Sequence, residues 1–214
     1  MCIRDSYGAK HGYPLPPEYL ASIAAVARQY GLALHMDGAR LFNAAVAQNL
    51  DAAVLAQHVD SVTFCLSKGL CAPVGSVLCG SADFIARARR ARKILGGGMR
   101  QTGILAAAGI VALNEMIERL ADDHAHARLL AEGLARLPGA RVDADMVRTN
   151  MVFFSLADDV TLSSAEVADR LRQTANVWLG TNGSRGFRAV THYWITADDV
   201  RVLLDGLENV LAQG

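Results

Sequence analysis

The sequence predicts an α/β protein: part of a mostly parallel, doubly wound sheet, followed by a small C-terminal α+β domain. Three observations carry this reading. Up to about residue 81, short apolar runs alternate with amphipathic helical stretches, the pattern of parallel strands joined by helical crossovers. From roughly 102 to 135, apolar residues recur at three- and four-residue spacing, which predicts one long helix linking two domains. Beyond it, strands and helices form a second, smaller set. The boundary falls near residue 120, giving domains 1–120 and 121–214.

Residues 1–6, "MCIRDS", fit nothing that follows and are set aside as a non-native tail or an assembly scar. In "GYPLPPEYLASIAAVARQYG", Pro16 and Pro17 open an amphipathic helix and Gly31 stands just past its end. "LALHMD", 32–37, reads as a strand, "GARLFNAAVA" as a second helix and "SVTFCLS" as the next strand. Pro73 and Gly75 turn the chain into a further strand, "GSVLCGS", at 75–81. "ADFIARARRARKIL" is helical and stops at Gly96, Gly97 and Gly98. After the long helix come a strand at "TNMVFFSL", a serine-capped helix at "SSAEVADRLRQT", a strand at "FRAVTHY" and a last helix capped by Thr196. Only about three strands are expected in the first sheet, and no glycine-rich phosphate loop precedes them. Three strands make a narrow sheet for such apolar sequences, so the chain reads as starting in the middle of a domain.

Composition removes several classes of function. Lys plus Arg and Asp plus Glu are both 21, a formal net charge of zero, so a nucleic-acid partner has no support. No apolar run reaches membrane-spanning length, and the N-terminus lacks the pattern of a signal peptide. Cys65, Cys71 and Cys79 lack the spacing of a metal site and read, with Cys2, as reduced thiols. His124 and His126 are two apart on a helix and so point to different sides. No metal site is expected.

"DSVTFCLSKGL" raises a sharper question, because a buried strand ends there in Ser67, Lys68 and Gly69. Asp37 ends the preceding strand. Neighbouring parallel strands finish on the same edge of a sheet, where ligands bind. A lysine and a carboxylate on one edge suit pyridoxal phosphate, which needs an amine for its aldehyde carbon and an acid against its ring nitrogen. On spacing alone, a capping aspartate and a solvated lysine explain the same pattern.

Three motifs in order, "HMDGARLFNA", "DSVTFCLSKGLCAPVGS" and "RKILGGGMRQTG", resemble the low-specificity L-threonine aldolases. These form part of the beta-eliminating lyase group of fold-type-I pyridoxal-phosphate enzymes. The resemblance runs from about residue 13 to the C-terminus. It implies the fold-type-I architecture and pyridoxal 5'-phosphate as cofactor. By the same resemblance Lys68 is the Schiff-base lysine and Asp37 the partner of the ring nitrogen. Arg40 stands at the cofactor edge. Arg100 approaches the cofactor phosphate, from a neighbouring subunit, with Lys93 close by. Arg188 grips the substrate carboxylate. On residue type alone, Arg40, Lys93, Arg100 and Arg188 could each be solvated surface cations. His35, His192, Cys65 and Cys71 read as structural.

The implied reaction is retro-aldol cleavage of L-threonine, L-allo-threonine and related β-hydroxy-α-amino acids to glycine and an aldehyde. The resemblance further implies a cytoplasmic homo-oligomer, dimer or tetramer, working on small amino acids. Two alternatives stand beside it: an inactive truncated piece of such an enzyme, and another fold-type-I lyase or transaminase.

Overall fold

The computed structural model describes residues 2–5, 7–8 and 12–212. It divides into two compact units, Met1–Ala9 with Pro14–Leu120, and Lys10–Tyr13 with Ala121–Gly214.

In chain order the first unit carries strands β1 (Cys2–Asp5) and β2 (Tyr7–Gly8), the two-residue strand β3 (Tyr13–Pro14) at its border, and helix α1 (Pro17–Gln29). There follow β4 (Leu34–Gly38), α2 (Leu41–Ala47), α3 (Ala52–Ala56), β5 (Ser61–Cys65), β6 (Ser76–Gly80), α4 (Ala82–Ile94) and α5 (Gly103–Glu115). The sheet order is β1-β4-β5-β6, with β1, β4 and β5 parallel and β6 antiparallel to β5. The orientation of β6 follows from its connection. Residues 66–75 hold no helix and are too few for a parallel crossover, which needs a dozen or more.

Helix α1 begins with proline in its first turn and buries Leu20, Ala24 and Ala27, one stripe of its surface. It ends in a Schellman motif. Gly31 has φ +62°, its N–H donates to Arg28 O at 3.0 Å, and Leu32 N–H donates to Ala27 O at 2.8 Å. Leu20 packs with Met36 of β4, Leu41 and Ala44 of α2, Leu55 of α3 and Val62 of β5.

Two expectations are corrected in this unit. Cys2–Asp5 does have a place: it pairs in parallel with β4, Cys2 opposite Leu34 and Asp5 opposite Asp37, so the sheet has four strands among the described residues. Met1 and Ser6 lie outside those residues. The single helix over 102–135 is instead two, α5 and α6 (Leu120–Arg136). Neither glycine nor proline marks the break. The chain turns there because Met116 and Ile117 pack on the cluster of Leu70, Ala72 and Ala112, which Leu120 joins fully buried. Burying these side chains outweighs continuing the helix.

The second unit holds most of α6, then β7 (Ala140–Arg141), β8 (Met151–Leu156), α7 (Ser164–Ala175), β9 (Gly180–Asn182), β10 (Gly186–Val190) and α8 (Ala197–Leu211). Its sheet is antiparallel in the order β7-β8-β10-β9. The inward face presents Val152, Phe154 and Leu156 of β8 and Phe187 and Ala189 of β10. Against it lie Leu130 and Leu134 of α6, Val167 and Leu171 of α7, and Val200, Leu203 and Leu207 of α8. Phe154 and Phe187 are cross-strand partners whose rings stack at 4.8 Å. Both outer helices start with a reciprocal capping box, Ser163 with Glu166 and Thr196 with Asp199. Accepting those capping bonds holds both carboxyls below their ordinary range. Strand β9 was not expected, because "GTNGSRG" carries no apolar alternation. Its pairing with β10, through a turn at Gly183 (φ +75°), is what makes it a strand.

Candidate active site

The first unit sets Asp37, Arg40 and Lys68 at one edge. Asp37 is the penultimate residue of β4 and pairs with Thr63 of β5. The two strands are parallel, so their C-terminal ends share an edge, and Lys68 stands three residues beyond the end of β5. Both Asp37 and Lys68 are exposed. Asp37 Oδ1 accepts the Ala39 N–H at 3.1 Å, which fixes the carboxylate at the turn. Arg40 is the residue before α2, only 9 % exposed, and its carbonyl accepts Ala44 N–H at 3.0 Å.

The backbone under Lys68 is tightly held although the residue is exposed. Leu66 N–H donates to Gly75 O, Ala72 N–H to Leu66 O and Cys71 N–H to Lys68 O, each at 3.0 Å. Cys71 takes a left-handed φ of +58° to close this loop. A lysine on a pinned backbone with a free amine suits attack on a carbonyl carbon, since only side-chain torsions remain to be set.

Gly38 and Gly69, which follow Asp37 and Lys68 directly, have a packing role that the sequence does not show. A Cβ at Gly38 would lie 2.5 Å from the Thr63 backbone oxygen, so β5 could not approach β4 this closely past any other residue. A Cβ at Gly69 would lie 2.7 Å from Leu120 Cδ2 and 3.1 Å from Asn43 Oδ1. Asn43 of α2 is buried. Gly69 therefore lets the lysine turn seat against α2 and the start of α6. The available signal was positional: each chemistry-bearing residue at a strand end is followed at once by glycine.

Lys93 and Arg100 belong to the same unit, at the end of α4 and in the loop after it, and both are exposed. Gly96 and Gly97 act as a helix stop. Gly96 has φ +85°, its N–H donates to Lys93 O at 3.1 Å, and Gly97 N–H donates to Arg92 O at 2.8 Å. Among the described residues neither Lys93 nor Arg100 has an ion-pair partner. Arg188 belongs to the second unit, on β10, where Nη2 lies 3.7 Å from Met151 Sδ. His35 bonds Ser61 Oγ through Nδ1 at 2.9 Å, and His192 Nδ1 accepts Trp194 N–H at 3.3 Å.

The chemistry of the Asp37–Lys68 edge fits pyridoxal phosphate: a primary amine and a carboxylate stand at the C-terminal ends of adjacent parallel strands. Solved structures share this architecture. A Listeria monocytogenes protein assigned as an L-allo-threonine aldolase superposes with a TM-score of 0.81 at 20% identity, covering 98% of this chain and 61% of that one. Threonine aldolase from Leishmania major gives 0.73 at 19% identity, covering 98% and 61%. These likenesses define the class, the fold-type-I architecture of pyridoxal-phosphate enzymes. Within it, the chain belongs to the beta-eliminating lyase family, whose model matches residues 2–157. It is 42% identical over 211 residues to low-specificity L-threonine aldolase 1 of Arabidopsis thaliana, covering 99% of this chain and 59% of that protein. To the low specificity L-threonine aldolase of Escherichia coli K12 it is 43% identical over 192 residues, covering 89% and 54%. The chain thus spans somewhat more than half the length of these relatives.

Proposed function

We propose that this chain carries the lysine-bearing part of a pyridoxal-phosphate-dependent aldehyde-lyase. The reaction is cleavage of L-threonine, L-allo-threonine and related β-hydroxy-α-amino acids to glycine and an aldehyde. The observation that carries the reading is the placement of Asp37 and Lys68 on one sheet edge, each seated by a glycine that its neighbours require. The relatives' names supply the substrate class.

The unit ending at residue 120 serves as the cofactor domain and 121–214 as the small domain. Lys68 would hold the cofactor through its aldehyde carbon, and Asp37 would keep a proton on the ring nitrogen. When bound, the cofactor supplies an electron sink for the pair released from the breaking Cα–Cβ bond. Arg40, three residues after Asp37 and largely buried, stands at the cofactor edge. Arg100 offers a cation to the cofactor phosphate, and Lys93 serves near that site as a substrate-binding cation. Arg188 binds the substrate carboxylate through its planar fork and so fixes which Cα bond is broken. The β-hydroxyl loses its proton as the aldehyde leaves, and Cα gains one to give glycine.

The working form is a cytoplasmic homo-oligomer acting on small amino acids. Exposed Ile94, Leu95, Met99 and Ile104, at the end of α4 and the start of α5, support an apolar contact surface. Free thiols at Cys65, Cys71 and Cys79 support a reducing compartment. Among the described residues no helix is long and apolar enough to cross a membrane.

The test is to add pyridoxal phosphate, reduce with borohydride and locate the modified lysine by peptide mass spectrometry. Label confined to Lys68 supports the assignment, and glycine released from threonine then separates this reaction from β-elimination, which yields a keto acid. Label scattered over surface lysines would overturn the assignment for these 214 residues.

A further inference from the structure

We infer that Met151 is a positioning residue for Arg188, held in place by Gly12 and Thr149, and that its thioether aims the guanidinium at an incoming carboxylate. The inference rests on the reading of Arg188 as the carboxylate-binding group.

Arg188 pairs with Phe153 across the β10–β8 ladder, and Val190 pairs with Met151. Side chains alternate between faces, so Arg188, Phe153 and Met151 share the face opposite the Phe154–Phe187 core. An arginine on such a face normally samples many rotamers. Here one of its terminal nitrogens donates to Met151 Sδ at 3.7 Å, its one hydrogen bond among the described residues.

Met151 is itself immobilised. It is 1 % exposed although it stands outside the core cluster of this unit. Gly12 lies against it: a Cβ at Gly12 would come within 2.8 Å of Met151 Cε and 3.0 Å of Met151 Cβ. Gly12 also has φ +66°, so glycine is favoured there on two counts. The Thr149 hydroxyl donates to Gly12 O at 2.7 Å and ties this segment to the strand. A line of contact thus runs from Thr149 through Gly12 and Met151 to Arg188.

The partner's chemistry matters. A carboxylate in the place of Met151 would fill the guanidinium fork and neutralise it. A thioether is a weak, neutral acceptor. It restrains one N–H direction and leaves the charge and the remaining donors for a bidentate carboxylate.

The experiment uses nitrogen-15 NMR of the arginine side chains of the full chain, with the Arg188 signals assigned by their loss in Arg188→Lys. Sodium acetate, titrated against sodium chloride at constant ionic strength, is the carboxylate probe. Met151→Leu keeps the volume and removes the sulfur. The expected result is faster averaging of the Arg188 terminal N–H signals and an apparent acetate affinity lowered about threefold, the scale of one weak orienting contact. Thr149→Val, which only loosens Gly12, shifts both readouts in the same direction by less, and supplies the test if Met151→Leu fails to fold. Unchanged averaging and unchanged affinity in the folded variants would overturn the role of Met151 while leaving Arg188 as the carboxylate group. An Arg188 signal that ignores acetate in the parent chain would instead sink the carboxylate reading itself, and this inference with it.

Discussion

Helices α4 and α7 are of nearly equal length, both rich in arginine and both capped by serine, yet α7 buries Ser164, Val167 and Leu171 while α4 buries none of its residues. The contrast extends to their units. The second unit gathers its buried apolar residues, Met151 apart, into one cluster drawn from both main strands and three helices. Those of the first fall into three smaller clusters, and Ile94, Leu95, Ile104 and Ile110 stand exposed beside them. Caps and periodicity make both helices, but only packing gives a helix a role in stability. The second unit resembles a finished core. The first presents a surface that suits a further partner, and under the proposed function that partner is another subunit.

Truncation in the two places gives the largest expected difference. Phe187→Ala removes a fully buried ring stacked on Phe154 and should cost about 3–5 kcal/mol in urea unfolding. Ile104→Ala, at a position 82 % exposed, should change stability by under about 0.5 kcal/mol. A comparable loss for Ile104→Ala would break the contrast and show that the α5 surface is already covered in solution.

Acid should also weaken the second unit first. Burial, and secondarily the charge of Arg128, push His124 down to about 4. The unfolded chain, with an ordinary histidine value, binds a proton that the folded chain refuses. Stability from this residue is therefore complete above about pH 6.5 and is lost as pH falls toward 4, by about 3 kcal/mol in all. Unfolding midpoints of the parent chain and of His124→Leu, followed over that range, should converge in slope only if another group dominates.

At the candidate site the effect is smaller and graded. Gly38→Ala meets a backbone oxygen that cannot yield, whereas Gly69→Ala meets the end of Leu120 and an amide that can shift. We expect about 2–3 kcal/mol for the first and about 1 kcal/mol for the second. Gly69→Ala should also slow cofactor labelling of Lys68, because the turn beneath it moves. Equal labelling in that variant would show that the lysine does not depend on its seat.

These differences show what the sequence could and could not reveal. Helices α1, α7 and α8 were legible because proline, serine, threonine and glycine stand where helix ends need them. Strands β4, β5, β8 and β10 were legible as apolar runs. The α5–α6 break was not, because its cause is the burial of Met116, Ile117 and Leu120 rather than a local breaker. Nor were β1 and β9, which exist through pairing with neighbours. At the site, Lys68 and Asp37 stood out by chemistry at strand ends, and the motifs added the arginines and Lys93. The reason for Gly38 and Gly69 lay in distances between segments far apart in sequence.

The finest test compares the two serine caps. Ser163 Oγ accepts Glu166 N–H at 3.3 Å, and Ser81 Oγ accepts Phe84 N–H at the same distance. Replacing a capping serine with alanine typically costs about 1 kcal/mol. Helix α7 folds with its core, so Ser163→Ala should lower the global stability of the second unit by about that amount, read as a shifted urea midpoint with unchanged slope. Helix α4 has no fully buried residue, and its first turn rests on the sheet only through half-buried Phe84 beside Gly80. Ser81→Ala should therefore leave the midpoint nearly unmoved and instead speed amide exchange at Phe84 and Ile85, whose N–H groups bond Ser81 Oγ and Ser81 O. A midpoint shift in Ser81→Ala equal to that of Ser163→Ala would mean that α4 is held by contacts made in solution on its exposed face.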